Sequence, residues 1–184
     1  MNPTKTEIQY KAVVAECRAL FEKKNKDYGT AWRILRLSSI TDQIYIKANR
    51  IRSVQEKGTQ KVADNLRDEF IGMINYSVMA LIQQELPADA ELDLPYEFVS
   101  QLYDKHIAET WALLENKNHD YGEAWRSMRV SSITDIILMK IFRIKQIEDN
   151  DGRTIVSEGV AANYQDIINY AVFALILQTE NVSA

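Results

Sequence analysis

Glu69, Gly72 and Asn75 stand three residues apart, and so do Asn163, Asp166 and Asn169. Laid over one another the two sets read E-x-x-D-x-x-N, and each supplies the acid that the other lacks. Residues three apart on a helix share a face. Carboxylates so placed can hold a hard cation through oxygen, as Mg²⁺ requires. One reading is therefore a single composite site, with Glu69 and Asp166 facing each other across two helices around Mg²⁺, for which Mn²⁺ could substitute. The other reading is exposed polar residues and hydrogen bonds between helices. Asp42 and Asp135 could each complete a metal cluster. Both also close an S-S-I-T-D segment in which Ser39 precedes Asp42 by three, the spacing of a capping box.

Phosphate chemistry has its own candidates. Lys47 with Arg50, and Lys140 with Arg143, are i, i+3 pairs suited to a polyphosphate, the lysine as a point charge and the arginine as a fork. A solvated, salt-bridged face explains them equally well. A base pocket could come from the K-N-x-D-Y-G-x-A-W-R segments. There Asn25, Asp27, Tyr28 and Trp32, and Asn118, Asp120, Tyr121 and Trp125, combine rings that stack with groups that read a base edge. The same segments would also serve as turns that end a helix. Asn75 and Asn169 sit among apolar residues and so must be hydrogen-bonded, either to a second helix or to a base. No Ser/His/Asp set, P-loop or G-x-G-x-x-G is present, and no catalytic residue can be assigned.

These residues come in pairs because the chain is duplicated. From Asn25 to Ile51, 17 of 27 positions are identical to those 93 residues later. Such self-similarity marks repeated structural units. The apolar positions drift among Ile, Leu, Met and Phe, as cores tolerate, so the retained polar residues call for an explanation. Two units result, 1–85 and 96–184, joined by an acidic linker, 86–95. Near the end the offset becomes 94 (Asn75 to Asn169), which puts an extra residue in a turn.

Each unit reads as three helices. Tyr10, Val13, Val14, Cys17, Leu20 and Phe21 mark the apolar face of the first, which starts near an Asn2 cap and is expected to end near Lys24 at the Asn-Lys-Asp-Tyr-Gly turn. A helix opening at Ser38–Ser39 buries Ile40, Ile44, Ala48 and Ile51. The third runs from Val62 to Glu85. The second unit repeats the plan, with helices from about Tyr96 to Asn116, from the second SSITD to Glu148 and from Glu158 to Gln178. Nothing alternates with period two. The fold class is all-α: two tandem helical repeats packed as a pseudo-dimeric bundle.

Composition bounds the rest. The 184 residues are 46% apolar and 26% charged, with 6 Gly and 3 Pro. That is an ordinary globular balance, expected in the cytoplasm. A net charge of −4 argues against an extended nucleic-acid surface. No apolar run reads as long enough to span a bilayer. The lone Cys17 reads as a small buried residue. A homodimer is compatible with all of this.

The combination KN-x-DYG, R-x-SSITD-x-x-x-x-K-x-x-R-I and NY-x-x-x-ALI resembles the family called nucleotide modification associated domain, type one, in two copies covering nearly the whole chain. The resemblance implies a role in nucleotide or base modification. More distantly, the composite E-x-x-D is similar to the all-α nucleoside triphosphate pyrophosphohydrolases of the MazG and dimeric dUTPase group, which hold Mg²⁺ between facing helices. Their upstream E-x-x-E has no counterpart here. The resemblance implies a nucleotide ligand and Mg-dependent pyrophosphate release. The rival is a non-catalytic helical binding or assembly module, in which the repeated residues are caps and inter-helix bonds.

Overall fold

The structure, a computed structural model, describes residues 3–58 and 65–182. Among these residues there is no strand. The six helices are α1 (Lys5–Tyr28), α2 (Leu37–Lys57), α3 (Leu66–Glu85), α4 (Tyr96–Tyr121), α5 (Val130–Asp149) and α6 (Val160–Val182). Single turns of 3-10 helix, Ala31–Ile34 and Ala124–Ser127, follow α1 and α4.

Helices α3 and α6 pair at the centre, α2 packs on α3, α5 on α6, and α2 on α5. These four make a bundle in which the two repeats share one core. The expected stripe on α2 is realised, with Ile40, Ile44, Ala48 and Ile51 all fully buried. Helices α1 and α4 lie across the bundle, each touching both α3 and α6. Helix α6 meets the length and hydropathy of a membrane span over Val160–Asn181, contrary to the sequence reading. Yet 67% of its most apolar window is buried inside the bundle, so its apolarity reflects burial on several sides at once.

Two helix boundaries differ from expectation for a physical reason. Asn, Lys and Asp disfavour a helix only mildly, so α1 and α4 continue through Lys-Asn-x-Asp-Tyr to Tyr28 and Tyr121. They stop at Gly29 (φ 58°, ψ −141°) and Gly122 (φ 61°, ψ −156°), a backbone region essentially reserved for glycine. The consequence for the site is that Lys24, Asn25 and Tyr28 project from a rigid helical turn. The cap of α1 is Thr4, whose hydroxyl accepts the Glu7 N–H at 3.1 Å. The expected Asn2 cap and Val62 start lie outside the described residues.

The SSITD capping box is absent. Helix α2 starts at Leu37 with Arg36 as cap and α5 at Val130 with Arg129, neither capped by a side chain. The serines and aspartates therefore sit inside the helices. Asp42 instead meets Lys145 at 2.7 Å and Asp135 approaches Arg52 at 3.6 Å, so both link α2 to α5.

The repeats are cross-fastened. Arg33 donates to Gln83 Oε1 at 2.6 Å and to the linker carbonyls of Ala90 (3.1 Å) and Glu91 (3.3 Å). Its counterpart Arg126 reaches back to Thr6 Oγ1 and Gln9 Oε1 on α1, both at 2.8 Å. Each arginine thus holds the segment that leads into a crossing helix.

Candidate functional site

Two cavities of similar make-up, about 460 and 430 Å³, lie one in each repeat. Both fall in the range of about 300–1,000 Å³ usual for small-molecule pockets. The first is lined by Lys24, Asn25, Tyr28 and Trp32 from the end of α1 and its 3-10 turn, by Lys47 of α2, and by Glu69, Gly72, Asn75 and Tyr76 of α3. The second is lined by Lys117, Asn118, Tyr121, Trp125, Lys140, Asp166, Asn169 and Tyr170. These match the first set at offsets of 93 and 94, with Asp166 at the position of Gly72.

The structure does not bring Glu69 and Asp166 together, because each lines the pocket of its own repeat. Lys47 Nζ stands 3.3 Å from Glu69 Oε2, and Arg50 grips the other oxygen. Lys140 Nζ is 2.6 Å from Asp166 Oδ2, and Lys117 Nζ is 3.0 Å from Oδ1. The alternation of E-x-x-G and N-x-x-D is therefore two ways of giving one lysine one carboxylate. In the first repeat the lysine stem lies on the bare backbone of Gly72, where a Cβ would stand 2.7 Å from Lys47 Cε. The lysine then reaches Glu69, one turn away. In the second, Asp166 meets Lys140 directly. Burial opposes the charge on Asp166, but hydrogen bonds from Lys140 and Lys117 outweigh it and hold the carboxyl below its usual range.

Asn75 and Asn169 are struts between repeats. Asn75 Nδ2 donates to the Cys17 carbonyl at 3.0 Å, and its Oδ1 accepts the Tyr103 hydroxyl at 2.8 Å. In mirror fashion Asn169 donates to the Thr110 carbonyl at 3.3 Å and accepts from Tyr10 at 3.1 Å. Both amides are 5% exposed. Of the two roles open in the sequence, the structure displays the inter-helix one.

Other candidates scatter. Asp27 and Asp120 are exposed and line neither pocket. Asp120 meets only exposed His119, at 3.2 Å. Arg143 lies with Asn163 on an open shelf of about 1170 Å³ beside the exposed Ile155 and Val156. That shelf is larger than either pocket, and among the described residues it shares only Lys140 with them. Cys17 is fully buried, which pushes its thiol up to about 12. His106, expected on a helix flank, is 7% exposed and 2.8 Å from Glu85.

Some pocket residues were missing from the sequence-derived set. Lys117 and Lys24 belong to the repeated motif and were legible as cations one turn from Tyr121 and Tyr28. Tyr76 and Tyr170, in the N-Y pairs of α3 and α6, also line the pockets, with Lys47 Nζ 5.9 Å from the Tyr76 ring centroid. Two polar atoms in these pockets are buried without a partner: Asn25 Nδ2 in the first and Trp125 Nε1 in the second.

Among the described residues no three His, Cys, Asp or Glu side chains converge as a metal site. The acidic oxygens are those of Glu69 and Asp166, both engaged by cations, and in the first pocket also those of Asp68. The donor set does not fit a resident Mg²⁺ or Mn²⁺, which would need several acidic oxygens at once.

Fold and pockets together define a class: a duplicated all-α bundle with one cationic, aromatic pocket per copy. The family model described as nucleotide modification associated domain 1 matches residues 24–84 and again 117–177, about two thirds of the chain. The chain belongs to that family, in two tandem copies. Each matched segment opens on a pocket lysine, Lys24 or Lys117, and runs past Tyr76 or Tyr170. No curated protein and no solved structure matches the chain.

Proposed function

We propose that the chain is a nucleotide-binding protein acting in nucleotide modification, and that the pocket built by the family segment receives a phosphorylated nucleoside. The observation that carries this reading is the company kept in the first pocket. The cations Lys24 and Lys47 stand beside Tyr28, Trp32 and Tyr76, with the buried, unpartnered amide donor of Asn25 among them. A buried donor without an acceptor costs roughly 1–3 kcal/mol, and a ligand acceptor would remove that cost. Cations alone would suit any anion; rings and an amide beside them suit a base on the same molecule.

Binding is better supported than hydrolysis. Pyrophosphate release by the metal-dependent route needs converging carboxylates, and Glu69 and Asp166 instead neutralise lysines in separate pockets. A divalent ion would enter with the nucleotide, coordinated mainly by its phosphates. Asp42, Asp135, Asn75 and Asn169 act as links within the bundle, as a binding module requires.

A thermal-shift screen of ribo- and deoxynucleotides, with and without Mg²⁺ and Mn²⁺, tests the reading. A ligand at about 100 times its Kd adds about 2.7 kcal/mol, or roughly 5–11 °C for a chain of this size. No shift with any nucleotide, from protein that melts cooperatively, overturns it.

A further inference from the structure

The two pockets share a plan and a size but differ at three points: the pairing of their lysines, the packing of their tryptophans and the identity of their unpartnered donor. The first is charge. In the second repeat one carboxylate, Asp166, occupies both lysines, one on each oxygen, at 3.0 Å from Lys117 and 2.6 Å from Lys140. In the first repeat Gly72 stands where Asp166 stands, and Glu69 holds Lys47 and Arg50. Lys24, the counterpart of Lys117, makes no ion pair among the described residues, although Asp68, whose counterpart in the second repeat is Ala162, also lines this pocket.

The second is the packing of the tryptophan. Trp125 is stacked on Phe173 with centroids 4.2 Å apart and planes 4° from parallel. The Arg126 guanidinium lies 4.4 Å over the same ring, although the two tryptophans are buried alike, Trp32 at 9% and Trp125 at 6% exposed. Arg126 is in turn held by Glu123, Glu180, Thr6 and Gln9. In the first repeat Met79 stands at the Phe173 position, and no ring or cation stacks on Trp32 among the described residues. A methionine yields to an incoming ring far more readily than a stacked pair does.

The third is the unpartnered atom. The first pocket leaves the Asn25 amide unpaired beside an unneutralised lysine. The second leaves only the Trp125 indole N–H, next to lysines already paired with Asp166.

From these differences we infer that the repeats have divided their labour: the first carries the phosphate-accepting pocket, with Lys24 as its uncommitted charge, and the second is a copy whose lysines are already paired with Asp166. One phosphorylated nucleotide then binds per chain. The inference rests on the nucleotide reading and adds its site and stoichiometry.

The test is calorimetric titration of the intact chain with dATP, dGTP, dCTP and dTTP, each with Mg²⁺. The expected result is one equivalent of the nucleotide that binds. Lys24→Ala should weaken it about tenfold or more, the effect of losing one charge-assisted contact. Lys26→Ala, an exposed lysine paired with Glu22 outside the pocket, should leave affinity unchanged and so excludes a general charge effect. Two equal equivalents, or a Lys24→Ala protein that binds like the parent, overturns the division while leaving the nucleotide reading intact. No heat with any of the four, from folded protein, overturns this inference, and the nucleotide reading falls with it when the screen of ribo- and deoxynucleotides is silent as well.

Discussion

Replacing Asn75 with alanine should destabilise the fold by about 3 kcal/mol while leaving its secondary structure intact. The magnitude comes from the two bonds the amide makes. Tyr103 is fully buried and its hydroxyl donates to Asn75 Oδ1 at 2.8 Å. Without that acceptor, a hydroxyl shut away from water costs about 1–3 kcal/mol. The bond from Nδ2 to the Cys17 carbonyl, 3.0 Å, adds a net of about 1 kcal/mol. Tyr103→Phe removes the donor without stranding a hydroxyl and should cost less. In the Asn75→Ala background it should recover part of the loss, because the stranded hydroxyl is gone, giving a coupling energy of about 1–3 kcal/mol. Urea unfolding of the ligand-free chain, followed by circular dichroism, measures all three variants. The parent and Asn75→Ala should also differ by about 6–12 °C in melting midpoint. If Asn75→Ala costs less than about 1 kcal/mol, and nucleotide affinity collapses instead, the amide serves a ligand and its assignment as a strut is wrong.

Three further outcomes follow from the pocket and from the interface between repeats. Asp166 is held below its usual range, so its ion pairs stabilise the fold above the ordinary Asp pKa, and that stability is lost as pH falls through the depressed value. Asp166→Asn should therefore be less stable at pH 7, with the gap closing in acid; a gap that persists there contradicts the assignment. Glu148 has its pKa raised, chiefly by burial against the hydrogen bonds from Thr41 and Tyr164. Its charge thus weighs on the fold above the raised value and is absent below the ordinary Glu range. Glu148→Gln should melt higher than the parent at pH 7 and alike at pH 3; equal midpoints at both would refute this. Gly72→Ala would place a Cβ 2.7 Å from Lys47 Cε. Stability should change by no more than about 1 kcal/mol, since helix propensity offsets the shift of a flexible stem, whereas nucleotide affinity should drop in titration.

The helical faces were legible in the sequence because burial imposes a period of three to four on residues such as Ile40, Ile44, Ala48 and Ile51. The repeat unit was legible from identity alone. What escaped was tertiary. Spacing shows which residues share a face of one helix, but not which charge from another helix meets them. Glu69 and Asp166 therefore looked like halves of one acidic site, when each was matched to a lysine that the repeat had kept, Lys47 or Lys140. The helices α1 and α4 run past Lys24 and Asn116 because Asn and Asp permit a turn without imposing one, and they stop where the backbone takes a positive φ that Gly29 and Gly122 accept. Nothing local announces that Tyr10 will serve Asn169 and Tyr103 will serve Asn75 across repeats.

The cross-bonding also explains why polar residues outlasted apolar ones in the duplication. An Ile exchanged for Leu or Met changes a contact that neighbours can repack. Asn75 exchanged for anything else strands a buried hydroxyl on the other repeat, because its partner lies on α4 and not on its own unit. Selection on a strut is therefore doubled by symmetry, since each copy's tyrosine depends on the other copy's asparagine. Around the pockets the copies do differ, at residues that serve no strut: Gly72 against Asp166, Met79 against Phe173, Glu69 against Asn163. A fold whose struts are reciprocal can hold its architecture while the lysines of one pocket become committed to an internal carboxylate. If that is the history here, mutations at the struts should be severe in either repeat, and mutations in the second pocket should be borne with binding intact.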